Sequence, residues 1–353
     1  MNPQKLTVGL PVMIHNVEEI NAFLAAKERL ESSRDYGIPL DVAAFLFLHP
    51  RFALTDENKV KALENQQKYR LPIIQIETPL QGRNSLVYDL KDQERFGEVS
   101  QLEMVVELAS KLKESDKSAH GLTIDTHVGI LVSENLESAN PFAGVYSVNG
   151  FNDNKPELFE RVRTRFGQLA EKAKKNGHVM VLETVPYVTF EKKPFGPVTQ
   201  HWYYPLSEME DLEHISQGNI TFDAAHLSKS RVLPQLVQRA NALNVERTIF
   251  ELYGLSSWDE YMLKIPSIDR SLQNARAVHL GNSAGIDQRG FGSDSVWSGE
   301  GPGLLTKDEL GRIVRSAHVR KIPVIVEADY DIKNLSQKQF READDLLKYA
   351  LVS

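Results

Sequence analysis

Eight short apolar runs, separated by stretches of helical periodicity or by longer connections, set the tightest limit on what this chain can fold into. They are Leu6–Ile14, Leu40–Leu48, Ile73–Glu77, Gly121–Asp125, Val179–Glu183, Ile220–Asp223, Arg276–Leu280 and Pro323–Glu327. Most are continuously apolar rather than alternating, the pattern of parallel strands covered on both faces. Between them, Val17–Ser32 places Ile20, Phe23, Leu24 and Leu30 at helical spacing, and Val99–Leu112 does so with Leu102, Val105, Val106, Leu108 and Leu112. Pro156–Lys175 starts acidic and ends basic, matching the helix dipole, and Gly177 stops it. Val232–Leu243, Lys307–Val319 and Gln337–Ala350 complete the expected helices. Strands alternating with helices make a parallel sheet. Eight such units predict an α/β fold, a closed (β/α)8 TIM barrel. An open doubly wound sheet commonly carries a Gly-rich phosphate loop after its first strand, and Leu10-Pro11-Val12-Met13 is not one.

A barrel of this kind is routinely one domain, so residues 1–353 are expected to form a single TIM-barrel domain. Two connections are long. Tyr187–Gly218, after the fifth strand, is rich in aromatics and prolines, and Gly281–Leu305, after the seventh, is rich in Gly, Ser and Asp. Both leave C-terminal strand ends, the catalytic face of a barrel, and are expected to wall the pocket. The aromatic connection offers Tyr187, Phe190, Phe195, Trp202, Tyr203 and Tyr204 for stacking on a ring, for plugging the barrel, or for capping a site in a homo-oligomer.

The chain has no cysteine, which removes disulfides, thiolate metal sites and a thiol nucleophile. A formal net charge of −7 disfavours general binding to nucleic acid or to an anionic membrane. The start of the chain lacks the marks of a secretory signal, and no apolar run approaches a membrane span, so a cytoplasmic protein is expected.

Polar residues fall where the apolar runs end. Val179–Leu182 leads into Glu183, Ile220–Phe222 into Asp223 with His226 three residues on, Val278 into His279, and Val324–Val326 into Glu327; Ile124 leads into Asp125 and His127. A lone carboxylate at a strand end is more often a helix cap, and a lone histidine is more often structural. Four consecutive strand ends repeating the pattern is a different matter, since a closed barrel would gather them at one mouth. Glu183, Asp223, His279 and Glu327 give three carboxylates and an imidazole. That set suits one divalent cation such as Mn²⁺, Co²⁺ or Mg²⁺, with Zn²⁺ also compatible. Without a cation the carboxylates would repel one another.

The motifs VLETVP around Glu183, FDAAHL around Asp223 and His226, AVHLGNSAG around His279, SGEGPGLL around Glu300 and VIVEAD around Glu327 have a further meaning. In this order they resemble the xylose-isomerase-like superfamily of TIM barrels, which includes sugar isomerases, sugar epimerases and endonuclease IV-type enzymes. TIDTHVG around His127 is similar to that family's fourth-strand histidine motif. The resemblance spans the fourth strand to the eighth. It implies that Glu183, Asp223, His279 and Glu327 bind one divalent metal, and that Glu183 and Glu327 face each other across a small sugar or polyol as the catalytic pair. It places His127 and Glu300 against the substrate, and His226 against the substrate or a second ion. The implied reaction is isomerisation or epimerisation by proton or hydride transfer.

The alternatives are an endonuclease IV-like phosphodiesterase or hydrolase and a non-catalytic barrel. The nuclease relatives carry an Asp-x-His pair before the Gly-Glu-Gly; Ser293 and Ser295 stand there in this chain. They usually have a histidine where the third strand ends here in Glu77-Thr78-Pro79. Sugar 3-epimerases often place an arginine six residues after the metal histidine, a position held here by Gly285, with Arg289 nearby.

Overall fold

A computed structural model of the chain describes residues 4–47, 56–78, 86, 101–115, 121–131, 151–185, 188–192, 198–203, 209–239, 243–281, 286–287, 290–291, 304–326 and 335–352. Strands are numbered along the chain. β1 (Leu6–Val12), β2 (Leu40–Phe47), β3 (Ile73–Glu77), β4 (Thr123–Thr126), β6 (Val179–Glu183), β9 (Ile220–Asp223), β10 (Ala275–Leu280) and β13 (Val324–Val326) form one closed barrel. Each pairs in parallel with its chain neighbours in the set, and β1 pairs with both β2 and β13 to close the ring. The expected (β/α)8 architecture is the observed one.

The strands close because both of their faces are apolar and covered. Val8, Val42, Ile76, Ile124, Phe222, Val278 and Val324 are all buried. The helical stripes read from sequence point inward: Phe23 and Leu30 on one helix, Leu102, Val105 and Val106 on another. Crowding at the centre requires one residue without a side chain. A Cβ on Gly9 would stand 2.3 Å from Ile325 Cδ1.

Register determines what reaches the mouth. β3 and β4 pair Glu77 with Asp125, β6 and β9 pair Glu183 with Thr221, and β9 and β10 pair Asp223 with His279. The C-terminal residues of neighbouring strands therefore come together at one end.

The helix expected from Pro156 starts at Phe151, with Pro156 inside it, and two further regions differ from the expectation. The helix expected over 232–243 instead starts at Ala224, directly at the end of β9, and runs to Arg239; a separate helix spans Leu243–Tyr253. The early start follows from Asp223, whose Oδ1 accepts the His226 N–H at 2.6 Å and caps the first turn. Pro234 lies inside this helix and cannot donate to the carbonyl of Ser230. The hydroxyl of Tyr261 donates to that carbonyl instead, at 2.9 Å, so no polar group is left stranded.

The long connection after β6 also contains regular elements. It holds an antiparallel hairpin of β7 (Val188–Lys192) and β8 (Val198–Tyr203), followed by the helix Met209–Ser216. β8 pairs with β5 (Ile130–Leu131), which follows β4, so a small three-stranded sheet links the connections after β4 and β6. After β10, β11 (Ile286–Asp287) and β12 (Gly290–Phe291) form a short hairpin. Among the described residues no helix is long and apolar enough to cross a membrane.

Candidate active site

The mouth of the barrel gathers Gln75 and Glu77 from β3, Asp125 from β4, His127 just beyond it, Glu183 from β6, Asp223 from β9, His226 from the helix that Asp223 caps, and His279 from β10. All are buried; Asp125, Asp223 and His279 have no solvent exposure at all. Polar groups are buried at such density only where they are paired or where a ligand repays the cost.

Glu183 is the centre. Its Oε2 lies 3.1 Å from His127 Nε2 and 3.4 Å from His279 Nδ1, and its Oε1 lies 3.2 Å from His226 Nδ1. Burial alone would raise this carboxyl, but the imidazoles of His127 and His279 outweigh that and hold it well below the usual carboxylate range. Glu183 is therefore an anion at neutral pH.

His226 is fixed by Thr184. Its Nδ1 is 2.8 Å from the Thr184 carbonyl oxygen and 3.6 Å from Asp223 Oδ2, while the Thr184 hydroxyl accepts the Asp223 N–H at 2.9 Å. A ring nitrogen facing three oxygen acceptors carries its proton there. Burial opposes charge on this ring, but Asp223 and Glu183 prevail and bring its pKa up to about 9.

Below this layer, the Gln75 amide nitrogen donates to Asp125 Oδ2 at 2.9 Å and stands 2.7 Å from His279 Nε2. Phe45 meets the His279 ring edge-on, with centroids 5.5 Å apart. Burial, and then the neighbouring Glu183, push Asp125 up to about 7. Thr78 donates its N–H to the Asp125 carbonyl at 3.0 Å and fixes the end of β4.

Two groups here have ligand atoms close enough to share an ion: Glu183 with Asp223 and His226, and Glu183 with Glu77 and His279. The donor set fits a divalent cation. It mixes carboxylate oxygen with imidazole nitrogen, and the buried Glu183 Oε2 makes no hydrogen bond in good geometry.

Of the residues expected from sequence, the structure brings Glu183, Asp223, His279, His226 and His127 together. Glu300 and Glu327 lie outside the described residues, as do Arg289 and the side chains of the aromatic connection. Reasoning from sequence assigned no role to Gln75, Glu77 or Thr184. Glu77 ends an apolar run just as Glu183 does, and that was the available signal; Gln75 interrupts such a run two residues earlier.

No family model and no curated protein matches this chain. Solved structures do. A D-tagatose 3-epimerase-like protein superposes with a TM-score of 0.51 at 14% identity, covering 97% of both chains. A D-psicose 3-epimerase from Clostridium cellulolyticum H10, solved with D-tagatose, gives 0.51 at 10% identity, again covering 97% of both. A xylose isomerase domain protein from Planctomyces limnophilus gives 0.48 at 14% identity, covering 98% of this chain and 96% of the other. What this chain shares with the two epimerase-named structures is the fold.

Proposed function

We propose that the chain is a cytoplasmic, divalent-metal-dependent isomerase or epimerase of a small sugar or polyol, acting as a single TIM-barrel domain. The observation that carries this reading is a buried, ionised Glu183 held among His127, His226 and His279 at the barrel mouth. The fold shared with structures named for epimerases, one of them solved with D-tagatose, supports the substrate class.

In this reading Glu183, Asp223 and His279 hold the ion together with Glu327; Mn²⁺, Co²⁺, Mg²⁺ and Zn²⁺ all suit such donors. An ion held there would supply Lewis acidity, polarising the sugar's carbonyl and hydroxyl oxygens and easing loss of the neighbouring C–H proton. Glu183 takes that proton on a carboxylate oxygen, and Glu327 returns one on the other face. His226, with its Nδ1 proton committed to the Thr184 carbonyl, offers Nε2 to a substrate oxygen. His127 and Glu300 contact sugar hydroxyls. Burial of the carboxylates keeps bulk water from the reacting carbon.

The test is to screen ketoses, aldoses and inositol-like polyols with each ion, following deuterium uptake from solvent by NMR, beside a Glu183→Gln control. Turnover that disappears in the control supports the reading. Failure of every substrate with every ion, or full activity in the control, overturns it.

One observation favours a second reading, a metal-dependent hydrolase or phosphodiesterase. Glu183 belongs to both candidate ion groups, so it can bridge two ions. Metal analysis separates the readings: one ion per chain fits the isomerase, two or more the hydrolase. The net charge of −7 gives no help to a polyanionic substrate.

A further inference from the structure

Beneath the site runs a buried chain of contacts that the roles above leave unused. Asp125 Oδ2 accepts a hydrogen bond from the Gln75 amide nitrogen at 2.9 Å, and the same nitrogen stands 2.7 Å from His279 Nε2. Gln75 is 1% exposed, and Asp125 and His279 are fully buried. An amide nitrogen has two protons and no lone pair to offer, so it meets two acceptors. The short contact to Asp125 Oδ2 is made by the nitrogen rather than the oxygen of Gln75, with Oδ2 as the acceptor. The second amide proton then points at His279 Nε2, which must accept. With Nε2 accepting from the amide at 2.7 Å, and Asp125 Oδ2 farther from it at 3.5 Å, the ring carries its proton on Nδ1, 3.4 Å from Glu183 Oε2. Gln75 Oε1 has no hydrogen-bond partner among the described residues, so nothing pulls the amide the other way.

We propose that Gln75 is a positioning residue for His279: oriented by Asp125, it fixes the tautomer of the imidazole and the ring edge presented to Glu183. Resting on the metal-dependent reading, this makes the pair a control on ion uptake. A cation held by the Nδ1 edge of His279 would displace the proton there, the ring proton would then lie on Nε2, and Gln75 would have to give up its bond to Asp125 to offer Oε1 as acceptor. Partners of this kind behind a ligating histidine typically alter metal affinity by about 10–100-fold when removed.

Two substitutions test it. Gln75→Leu keeps the volume and removes both donor and acceptor. Asp125→Asn keeps the shape but lets the Gln75 amide adopt either orientation. Long-range ¹H–¹⁵N NMR on the metal-free protein reads the tautomer directly. The expected result is a single Nδ1–H form of His279 in the parent and a mixture, or the Nε2–H form, in both variants. Titration with Co²⁺, followed by its visible absorption, should show affinity changed roughly tenfold or more in both. An Nε2–H ring in the parent, or an unchanged tautomer in both folded variants, overturns the positioning role. An altered tautomer with unchanged Co²⁺ affinity overturns the control on ion uptake. If the parent takes up no Co²⁺ while the tautomer responds as expected, the metal-dependent reading falls and the positioning of His279 stands.

Discussion

Just before β6, at the floor of the barrel, His178 accepts the Leu122 N–H through Nδ1 at 3.1 Å; at the other end of the same strand Glu183 stands among the imidazoles of His127, His226 and His279. The floor histidine meets a backbone donor and is kept neutral. Burial, then Lys113, lowers its pKa to about 4. The mouth histidine His226 meets carboxylates and is held charged, at about 9. Backbone contacts are equally tight at the floor, where a Cβ on Gly121 would stand 1.8 Å from the Gly177 carbonyl oxygen. One end of the strand is solved for packing, and the other accumulates charge that packing alone would not retain.

The sharpest way to break this contrast is Glu183→Gln. Turnover should drop by about a hundredfold or more, since the basic oxygen is lost while the shape is kept. Thermal unfolding of the metal-free variant should move to lower temperature, because the folded state stabilises the Glu183 anion and its removal leaves the buried His226 charge less compensated. A variant that unfolds early while keeping its activity would make Glu183 a structural residue.

Gly121→Ala is the counterpart at the floor. The added carbon meets backbone, which must shift, so a loss of about 1–3 kcal/mol is expected. Calorimetry measures it, and metal content per folded molecule should be unchanged. A stable Gly121→Ala protein that has lost its metal would erase the division between the two ends.

Asp223→Asn separates two duties of one residue. Asn caps a helix as well as Asp does, so the cap on His226 N–H should survive with stability changed by less than about 1 kcal/mol. Metal affinity should fall roughly tenfold or more, about 1.4 kcal/mol, as a charged ligand is lost. Equal affinity by calorimetric titration would remove Asp223 from the ligand set.

The smallest effects are in pH. As pH falls below 6.5, the unfolded chain takes a proton that folded His178 refuses, so stability declines down to about pH 4. His178→Asn, which keeps an acceptor for Leu122, should flatten that slope. His226 has the opposite sign. In the metal-free protein its stabilisation is complete below 6.5 and disappears as pH rises through about 9. His226→Asn should remove the alkaline slope and leave the acid one. Melting temperatures across pH decide both.

The sequence made the two ends unequally legible. β3, β6 and β9 were read to the residue, because continuous apolar runs ending in a carboxylate have only one sensible parallel register. Glu183, Asp223, His279, His127 and His226 were read from the same strand ends. The helix after β9 starts eight residues before the expected Val232 because Asp223 caps it directly at the strand end, and the Tyr261 hydroxyl that makes Pro234 tolerable inside it lies far along the chain. Gln75 escaped for a similar reason: its partners come from β4 and β10, and no local pattern marks a residue whose role is to face two strands at once. The hairpin after β6 was read as connection only, since its pairing with β5 depends on a register between distant segments.

That small sheet has a consequence for how such a protein can change over time. β5, β7 and β8 share no ladder with the eight barrel strands among the described residues. An insertion in the β7–β8 turn, or an exchange of its aromatics, would leave every barrel register untouched. Among the described residues, the one strand pairing that ties it to another connection is the short one of Ile130 and Leu131 with Tyr203 and Trp202. Descendants can therefore vary the rim freely and inherit the charged centre intact, so that new preferences arise by drift at the edge while the chemistry below is handed on unaltered.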